Sequence, residues 1–169
     1  MFIPHSSCEG TYLIKGVFFD LGDTLVKEGS VEALPNAHEV LGVLADRYKL
    51  AIICNTHATG ERIRETLRSA GIKRYFDLII VSSEVGLRKP DGRIFRIALE
   101  SLDLLPDEVV MVGNRISADI LGGNRVGMKT ILIKWNNRYQ EKVTCELERP
   151  NHTIKSLREL LSIVRESFI

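Results

Sequence analysis

Acidic and hydroxyl side chains follow an apolar run near the start of the chain. Residues 17–26 read VFFDLGDTLV, so Asp20 closes the run. Gly22, Asp23 and Thr24 come directly after it. A short run of β-branched and aromatic residues predicts a buried parallel strand, and ligands bind at the carboxyl edge of such sheets. There Asp20 could attack phosphorus or carbon as a nucleophile, or coordinate a divalent cation. Asp is also a favoured turn residue, so the local pattern leaves turn capping equally open.

The elements that must position these groups alternate along the chain. Short apolar runs and amphipathic stretches follow one another, an order that predicts a parallel sheet with helices on both faces. We therefore predict an α/β fold, a doubly wound three-layer α/β/α Rossmann-like core with about five to six parallel strands. The predicted strands cover 13–19, 50–54, 76–81, 107–112 and 129–134, the predicted helices cover 36–48, 59–70, 91–102, 117–126 and 154–167, and the polar segment 135–150 is predicted to be a loop.

Composition fits one domain. The chain has 169 residues, 44% of them hydrophobic, with 23 basic and 22 acidic residues. We predict a single domain over 1–169, with 1–12 as an N-terminal extension. No basic block supports nucleic-acid binding, and no apolar run is long enough to span a bilayer. The first residues lack a secretory pattern, and the cysteines Cys8, Cys54 and Cys145 form no metal-type pair. We expect a soluble cytoplasmic protein with reduced thiols.

The segment around Asp20 resembles the first motif of the haloacid dehalogenase-like hydrolases, where Asp-x-Asp-x-Thr follows an apolar strand. Asp20 and Thr24 take the first and last positions of that motif. The middle position is Gly22, and Asp23 comes one residue late.

Two further segments resemble the second and third motifs of the same family. Residues 50–56, LAIICNT, are similar to a strand that ends in Ser or Thr, often followed by Asn. Cys54 takes the hydroxyl position and Asn55 follows it. Residues 81–95, VSSEVGLRKPDGRIF, match the third motif closely, with Lys89 before a Pro-Asp pair.

The fourth motif of the family usually contains Gly-Asp and a second Asp five residues later. Residues 109–133 resemble it, with Asn114 in place of the first Asp and Asp119 as the second. The four motifs together cover 13–134, and the tail from Pro150 resembles the closing strand and helix of the family.

Motif spacing also indicates what the chain lacks. Family members that act on small molecules often carry a cap domain after the first motif, or between the second and third. Only nine residues separate Leu25 from Pro35, and thirty-two separate Thr56 from Lys89. The resemblance is therefore to capless members, whose open site accepts a large substrate or is covered by a neighbouring subunit. The flap over 26–34 is the only local cover.

The resemblance implies a role for each matched residue. Asp20 would attack a phosphoryl group and form an aspartyl phosphate, which water then hydrolyses. Lys89 would neutralise the negative charge at the reaction centre, and Thr24 would hold the loop in place. Asp20 and Lys89 are thus the implied catalytic residues. The implied Mg²⁺ ligands are Asp20, the backbone carbonyl of Gly22, Asn114 and Asp119, and the implied phosphate-binding residues are Cys54, Asn55, Thr56 and Lys89.

Three departures from the family pattern bear on activity. Gly22 cannot act as the general acid and base, a role often worth roughly 10²- to 10⁴-fold in rate. Asp23 is adjacent, but a displacement of one residue turns a side chain to the other side of an extended loop. Cys54 donates a weaker hydrogen bond than Ser or Thr, so we favour a packing role, with Thr56 as the substitute donor. Asn114 removes one negative charge and should weaken Mg²⁺ binding.

Three functions remain open from the sequence. The first is a Mg²⁺-dependent phosphatase-like hydrolase acting through Asp20 on a phosphorylated small molecule or macromolecule. The second is a catalytically weak or inactive binding or regulatory module that keeps the fold. The third is a metal-independent dehalogenase, which the missing cap disfavours. Because capless relatives often cover their site with a neighbouring subunit, we also expect a homo-oligomer.

Overall fold

A parallel sheet forms the centre of the molecule. The structure, a computed structural model, describes residues 13–166, and within that range six strands form one sheet. The strands are β1 (Gly16–Phe19), β2 (Lys49–Cys54), β3 (Leu78–Val81), β4 (Val109–Gly113), β5 (Lys129–Ile133) and β6 (His152–Ile154). Their spatial order is β3-β2-β1-β4-β5-β6, with every neighbouring pair parallel. The predicted doubly wound parallel sheet is confirmed. The predicted extension over 1–12 lies outside the described residues.

Helices cover both faces of the sheet. They are α1 (Ala37–Ala45), α2 (Gly60–Ser69), α3 (Ser82–Val85), α4 (Gly92–Leu102), α5 (Leu121–Val126) and α6 (Leu160–Glu166), and a π-helical turn (Ile116–Ile120) leads into α5. Side chains of β1 alternate between two apolar cores: Val17 and Phe19 pack with α1, α2 and α6, whereas Phe18 packs with α4. This alternation is the period of two expected of a strand covered on both faces. No helix within 13–166 combines the length and the apolar character needed to cross a membrane.

The predicted helix over 154–167 was wrong in its first part. Ile154 belongs to β6, where it pairs with Ile133 of β5. The chain turns at Ser156, whose side chain forms a capping box with Glu159, and α6 begins only at Leu160. Apolar residues at helical spacing predicted one continuous helix, but the free edge of β5 pairs with residues 152–154, so Ile154 lies in a strand. The short helix α3 was not predicted at all.

The connection between β1 and α1 folds back on itself as a flap. The amides of Leu25 and Val26 both donate to the Leu21 carbonyl, at 2.9 and 3.2 Å. Val26 also bridges Gly22 and Ala33, so the two arms of the flap run side by side. This geometry keeps the flap residues close to the carboxyl end of β1, the edge where the sequence predicted a site.

Candidate active site

A buried lysine lies between two carboxylates at the carboxyl edge of the sheet. Nζ of Lys89 is 2.7 Å from Oδ1 of Asp20 and 2.7 Å from Oδ1 of Asp119. Asp20 follows β1, and its amide extends the strand ladder by donating to the Val112 carbonyl at 2.9 Å. Lys89 comes from the loop before α4, and Asp119 from the π-helical turn. We call Asp20, Lys89 and Asp119 the charged triad. Two of the implied metal ligands and the implied lysine thus meet at one point.

Burial and charge act in opposite directions on this triad. Burial by itself lowers the pKa of Lys89, but Asp119 and Asp20 together outweigh it and raise that pKa above its ordinary value. Burial raises the pKa of Asp119, which the charge of Lys89 opposes. Lys89 therefore stays protonated at neutral pH, and its charge favours the ionised form of Asp119.

The Asp20 carboxylate is held by two different donors. Lys89 binds Oδ1, and the Thr24 hydroxyl donates to Oδ2 at 3.2 Å. Thr24 is fully buried, and the Asp20 side chain keeps only 13% of its surface exposed. A carboxylate fixed in this way presents a defined oxygen to the cleft, which is what in-line attack requires.

Asn55, predicted to bind phosphate, contacts the main chain of Lys89 on both sides. Its Nδ2 donates to the Lys89 carbonyl at 2.9 Å, and its Oδ1 accepts from the Lys89 amide at 2.9 Å. The amide of Thr56 donates to Oγ of Ser82 at 2.9 Å, and that hydroxyl donates back to the Thr56 carbonyl at 3.0 Å. The second motif therefore positions the third. The sequence did not identify Ser82, since nothing around it indicated a partner in the segment that follows β2.

Cys54 and Thr56 lie at the end of β2 and line the cleft with Asp20. Burial, reinforced by the negative charge of Asp20, raises the pKa of the Cys54 thiol to about 12. The thiol is therefore neutral at physiological pH and packs as a small apolar group with a weak donor. The Thr56 hydroxyl accepts a hydrogen bond from the Ala58 amide at 3.0 Å, so its own proton is free to donate. Both findings favour the predicted packing role for Cys54.

Gly113 allows Asp119 to approach the end of β4. A Cβ atom at Gly113 would lie 2.3 Å from Cγ of Asp119 and 2.3 Å from its Oδ2. That oxygen accepts the Arg115 amide at 3.0 Å, which fixes the carboxylate above the strand end. Any larger residue at 113 would displace the aspartate. Glycine at position 113, the first residue of the Gly-Asn pair in the fourth motif, is thus a steric requirement.

The oxygen atoms around the triad suit a hard divalent cation. Oδ1 of Asp119 is buried and contacts Lys89, but no residue within 13–166 gives it a well-aligned hydrogen bond. Asn114 is 9% exposed and lines the same cleft, and its amide makes no hydrogen bond to the described part of the chain. Carboxylate, amide and carbonyl oxygens are the ligands that Mg²⁺ prefers. The residues present therefore fit the implied ion, although only two of the ligands carry charge.

Asp23 does not take the place of the missing acid. It adopts a left-handed conformation with φ of 52°, and its side chain is buried away from the cleft. Its Oδ1 accepts the Glu28 amide at 3.0 Å, and its Oδ2 lies 3.3 Å from Arg138. The Trp135 indole donates to its carbonyl at 2.8 Å. Asp23 thus joins the flap to the loop after β5, as its displaced position in the sequence indicated.

The triad lies at the floor of a cleft of about 950 Å³. The flap forms one wall and α2 forms another, through Arg62, Ile63 and Thr66. The third wall includes Arg115, whose guanidinium stacks 4.4 Å from the centre of the Tyr139 ring and pairs with Glu141 at 2.9 Å. The loop after β5, one of the segments to which the sequence left specificity, therefore completes the site.

Comparisons with known proteins agree with this architecture. A sequence profile for haloacid dehalogenase-like hydrolases matches residues 12–133. The chain is 36% identical over 129 residues to a pyrimidine 5′-nucleotidase of Escherichia coli (strain K12), covering 75% of this chain and 54% of that protein. It is 39% identical over 103 residues to a glyceraldehyde 3-phosphate phosphatase of Methanopyrus kandleri, covering 60% of this chain and 44% of that protein. The chain thus spans about half the length of these relatives.

A solved structure supports the fold over nearly the whole chain. The structure of a HAD phosphatase from Thermococcus onnurineus superposes with a TM-score of 0.75 at 22% identity. The match covers 89% of this chain and 98% of that one. The α/β/α architecture is therefore shared between two chains with little sequence in common.

Proposed function

The chain belongs to the haloacid dehalogenase-like hydrolases, and we propose that it is a capless, Mg²⁺-dependent phosphatase that acts through Asp20. The observation that carries this proposal is the Asp20 carboxylate, fixed at the floor of the cleft between Lys89 Nζ at 2.7 Å and the Thr24 hydroxyl at 3.2 Å. The two relatives, a nucleotidase and a phosphatase, support phosphate-ester hydrolysis. The short flap and the direct run from α2 to β3 support the capless form.

In the proposed reaction, an Asp20 oxygen attacks phosphorus in line with the ester oxygen. A new bond forms between Asp20 and phosphorus, the phosphorus–oxygen bond to the alcohol breaks, and the alcohol leaves after gaining a proton. Water then attacks the phosphorus of the aspartyl phosphate, which releases inorganic phosphate and restores the carboxylate. Lys89 is the compact cation that lowers the repulsion between this carboxylate and the anionic ester.

The residues that would hold Mg²⁺ are Asp20, the Gly22 carbonyl, Asn114 and Asp119. When bound, the ion would neutralise charge that develops on the phosphoryl oxygens. Asn114 in place of an aspartate leaves one charge fewer in this set, so we expect the protein to need more Mg²⁺ than a site with a third carboxylate. Lys89, Thr24 and Gly113 keep the two charged ligands in place.

The cleft favours anionic substrates. Arg62, Arg88 and Arg115 all line its walls above the triad. A phosphorylated small molecule, or a macromolecule that presents a phosphate ester, would suit both the positive charge of the cleft walls and the open access to the cleft. The cytoplasmic location and the homo-oligomer stay predictions.

The alternative is a binding or regulatory module that has lost turnover. This alternative is motivated by Gly22, the neutral Cys54 thiol and Asn114. Each of them replaces a stronger acid, hydrogen-bond donor or metal ligand that the reaction would use. This alternative predicts that the cleft binds phosphate esters without releasing phosphate. Dehalogenation by Asp20 ranks third, and it predicts halide release without metal.

The test is hydrolysis of p-nitrophenyl phosphate with Mg²⁺ and with EDTA. Wild type is compared with Asp20→Asn and with Asp46→Asn, a matched change at an exposed aspartate after α1. We expect Mg²⁺-dependent turnover in wild type and Asp46→Asn, and its loss in Asp20→Asn. Turnover no higher than that of Asp20→Asn in the wild type would refute the phosphatase and favour the binding module.

A further inference from the structure

The space above Gly22 is filled by a carboxylate from the flap. A Cβ atom built on Gly22 would lie 2.0 Å from Oε2 of Glu28 and 3.2 Å from its Cδ. A side chain at position 22 and the end of the Glu28 side chain therefore compete for one volume. Glu28 lines the same cleft as Asp20. The fold thus places an acid where the residue at position 22 carries none.

Asp23 holds the main chain of Glu28 in this position. The Glu28 amide donates to Oδ1 of the buried Asp23 at 3.0 Å. Asp23 is in turn fixed by Trp135 at 2.8 Å, and the turn around Glu28 is closed by the bond from the Ser30 amide to the Lys27 carbonyl at 3.0 Å. The aspartate that comes one residue late thus orients a second acid, and does not enter the cleft itself.

The Glu28 carboxylate is available for proton transfer. Within residues 13–166 its side chain makes no ion pair or hydrogen bond, whereas Glu32 at the other arm of the flap pairs with Lys27. Its negative charge contributes to the raised pKa of Cys54, which lines the same cleft as Asp20. In the described range no three His, Cys, Asp or Glu side chains are clustered as a metal site, so Glu28 is not grouped with Asp20 and Asp119 in this structure.

We propose that Glu28 is the general acid and base of the reaction, in the role that Gly22 cannot perform; this inference rests on the proposed phosphatase function. Protonated Glu28 donates its proton to the ester oxygen as the phosphorus–oxygen bond breaks, so the alcohol leaves neutral. The resulting carboxylate then takes a proton from the water that attacks the aspartyl phosphate. This second transfer restores protonated Glu28, and each turnover consumes one water.

The test compares two esters that differ in how much acid assistance they need. An alkyl phosphate has a poor leaving group and depends on protonation, whereas p-nitrophenyl phosphate does not. We expect Glu28→Gln to lower kcat/KM for the alkyl ester by roughly 10²- to 10⁴-fold and for the aryl ester by far less. Glu32→Gln, the matched control in the same flap, should leave both values near wild type. Glu28→Ala should lower the alkyl-ester activity in the same way, and because it also empties the volume next to Gly22, adding Gly22→Asp to Glu28→Ala should restore much of that activity.

The outcomes separate the two proposals. Equal rates for Glu28→Gln and Glu32→Gln with both esters would overturn the role of Glu28, while loss of turnover in Asp20→Asn would still support the phosphatase. An equal loss with both esters, together with a higher Mg²⁺ requirement, would place Glu28 on the ion and also overturn the inference. Absence of turnover in wild type would refute the phosphatase and, with it, this role.

Discussion

Replacing Lys89 by methionine should destabilise the whole domain. The substitution keeps most of the side-chain volume and removes the only positive charge of the charged triad. Asp20 and Asp119 then face each other without a counter-ion, at a place where both Lys89 and Asp119 side chains are 1% exposed. Solvent has little access to the Asp20 and Asp119 carboxylates. Burying these two charges without a counter-ion therefore lowers the stability of the folded state.

The size of the effect follows from this burial. Removing one partner of a buried ion pair costs about 3–5 kcal/mol, because the other charge stays buried without compensation. For a domain of this size, each kcal/mol lowers Tm by roughly 2–4 °C. We therefore expect Lys89→Met to lower the free energy of unfolding by about 3–5 kcal/mol and Tm by roughly 6–20 °C.

Urea unfolding in EDTA measures this loss without interference from bound cations. Lys15→Met is the control, because Lys15 pairs with Glu108 at the surface with 52% of its side chain exposed. We expect that control to unfold near the urea midpoint of wild type, because an exposed ion pair contributes little to stability. Combining Lys89→Met with Asp119→Asn removes the stranded charge, so the double variant should recover roughly 2 kcal/mol or more.

Two results would refute this reasoning. A Lys89→Met protein as stable as Lys15→Met would mean that the triad does not hold the site together. A double variant less stable than Lys89→Met would mean that the loss comes from packing and not from an uncompensated carboxylate. Either result would remove the electrostatic basis on which the role of Lys89 rests.

Two further predictions concern the second motif. Asn55→Ala removes two hydrogen bonds to the main chain of the site lysine, so we expect calorimetry to show a free energy of unfolding lower by about 1–3 kcal/mol. Asn137→Ala, at an exposed asparagine, is the control and should stay near wild type. An unchanged Tm in Asn55→Ala would contradict the positioning role. Because thiolates are the reactive form and burial raises the pKa of Cys54 to about 12, iodoacetamide at pH 8 should label exposed Cys145 long before Cys54. Mass spectrometry of the native and the urea-unfolded protein checks this order, and rapid native labelling of Cys54 would contradict it.

Much of the fold could be predicted because its signals are local. Apolar runs of four to six residues predicted β1 to β5, and amphipathic spacing predicted α1, α2 and α4. Each of these elements buries side chains that are close together in the sequence. β6 and the start of α6 could not be placed in this way, because helical spacing and the free edge of β5 competed for the same residues.

The position of the proposed nucleophile and its lysine could also be predicted from the sequence. Asp20 closes an apolar strand, and Lys89 stands in a distinctive Lys-Pro-Asp context. The structure brings them to 2.7 Å of each other across a separation of 69 residues. The family motifs predicted which residues meet, because each motif lies at the carboxyl end of a strand and these ends share one edge of a parallel sheet.

The tertiary structure alone decided what the remaining groups do. Asn55 and Lys89 are 34 residues apart, and nothing near either residue indicates that an amide will hold the other's main chain. The sequence predicted only that Glu28 belongs to a flap. The structure shows that this flap folds back over Gly22 and that the Asp23 side chain is buried away from the cleft. Local sequence determines strands, turns and the identity of reactive groups, because those depend on neighbours along the chain. Which carboxylate fills a given space depends on how distant segments pack, and only the folded chain determines that.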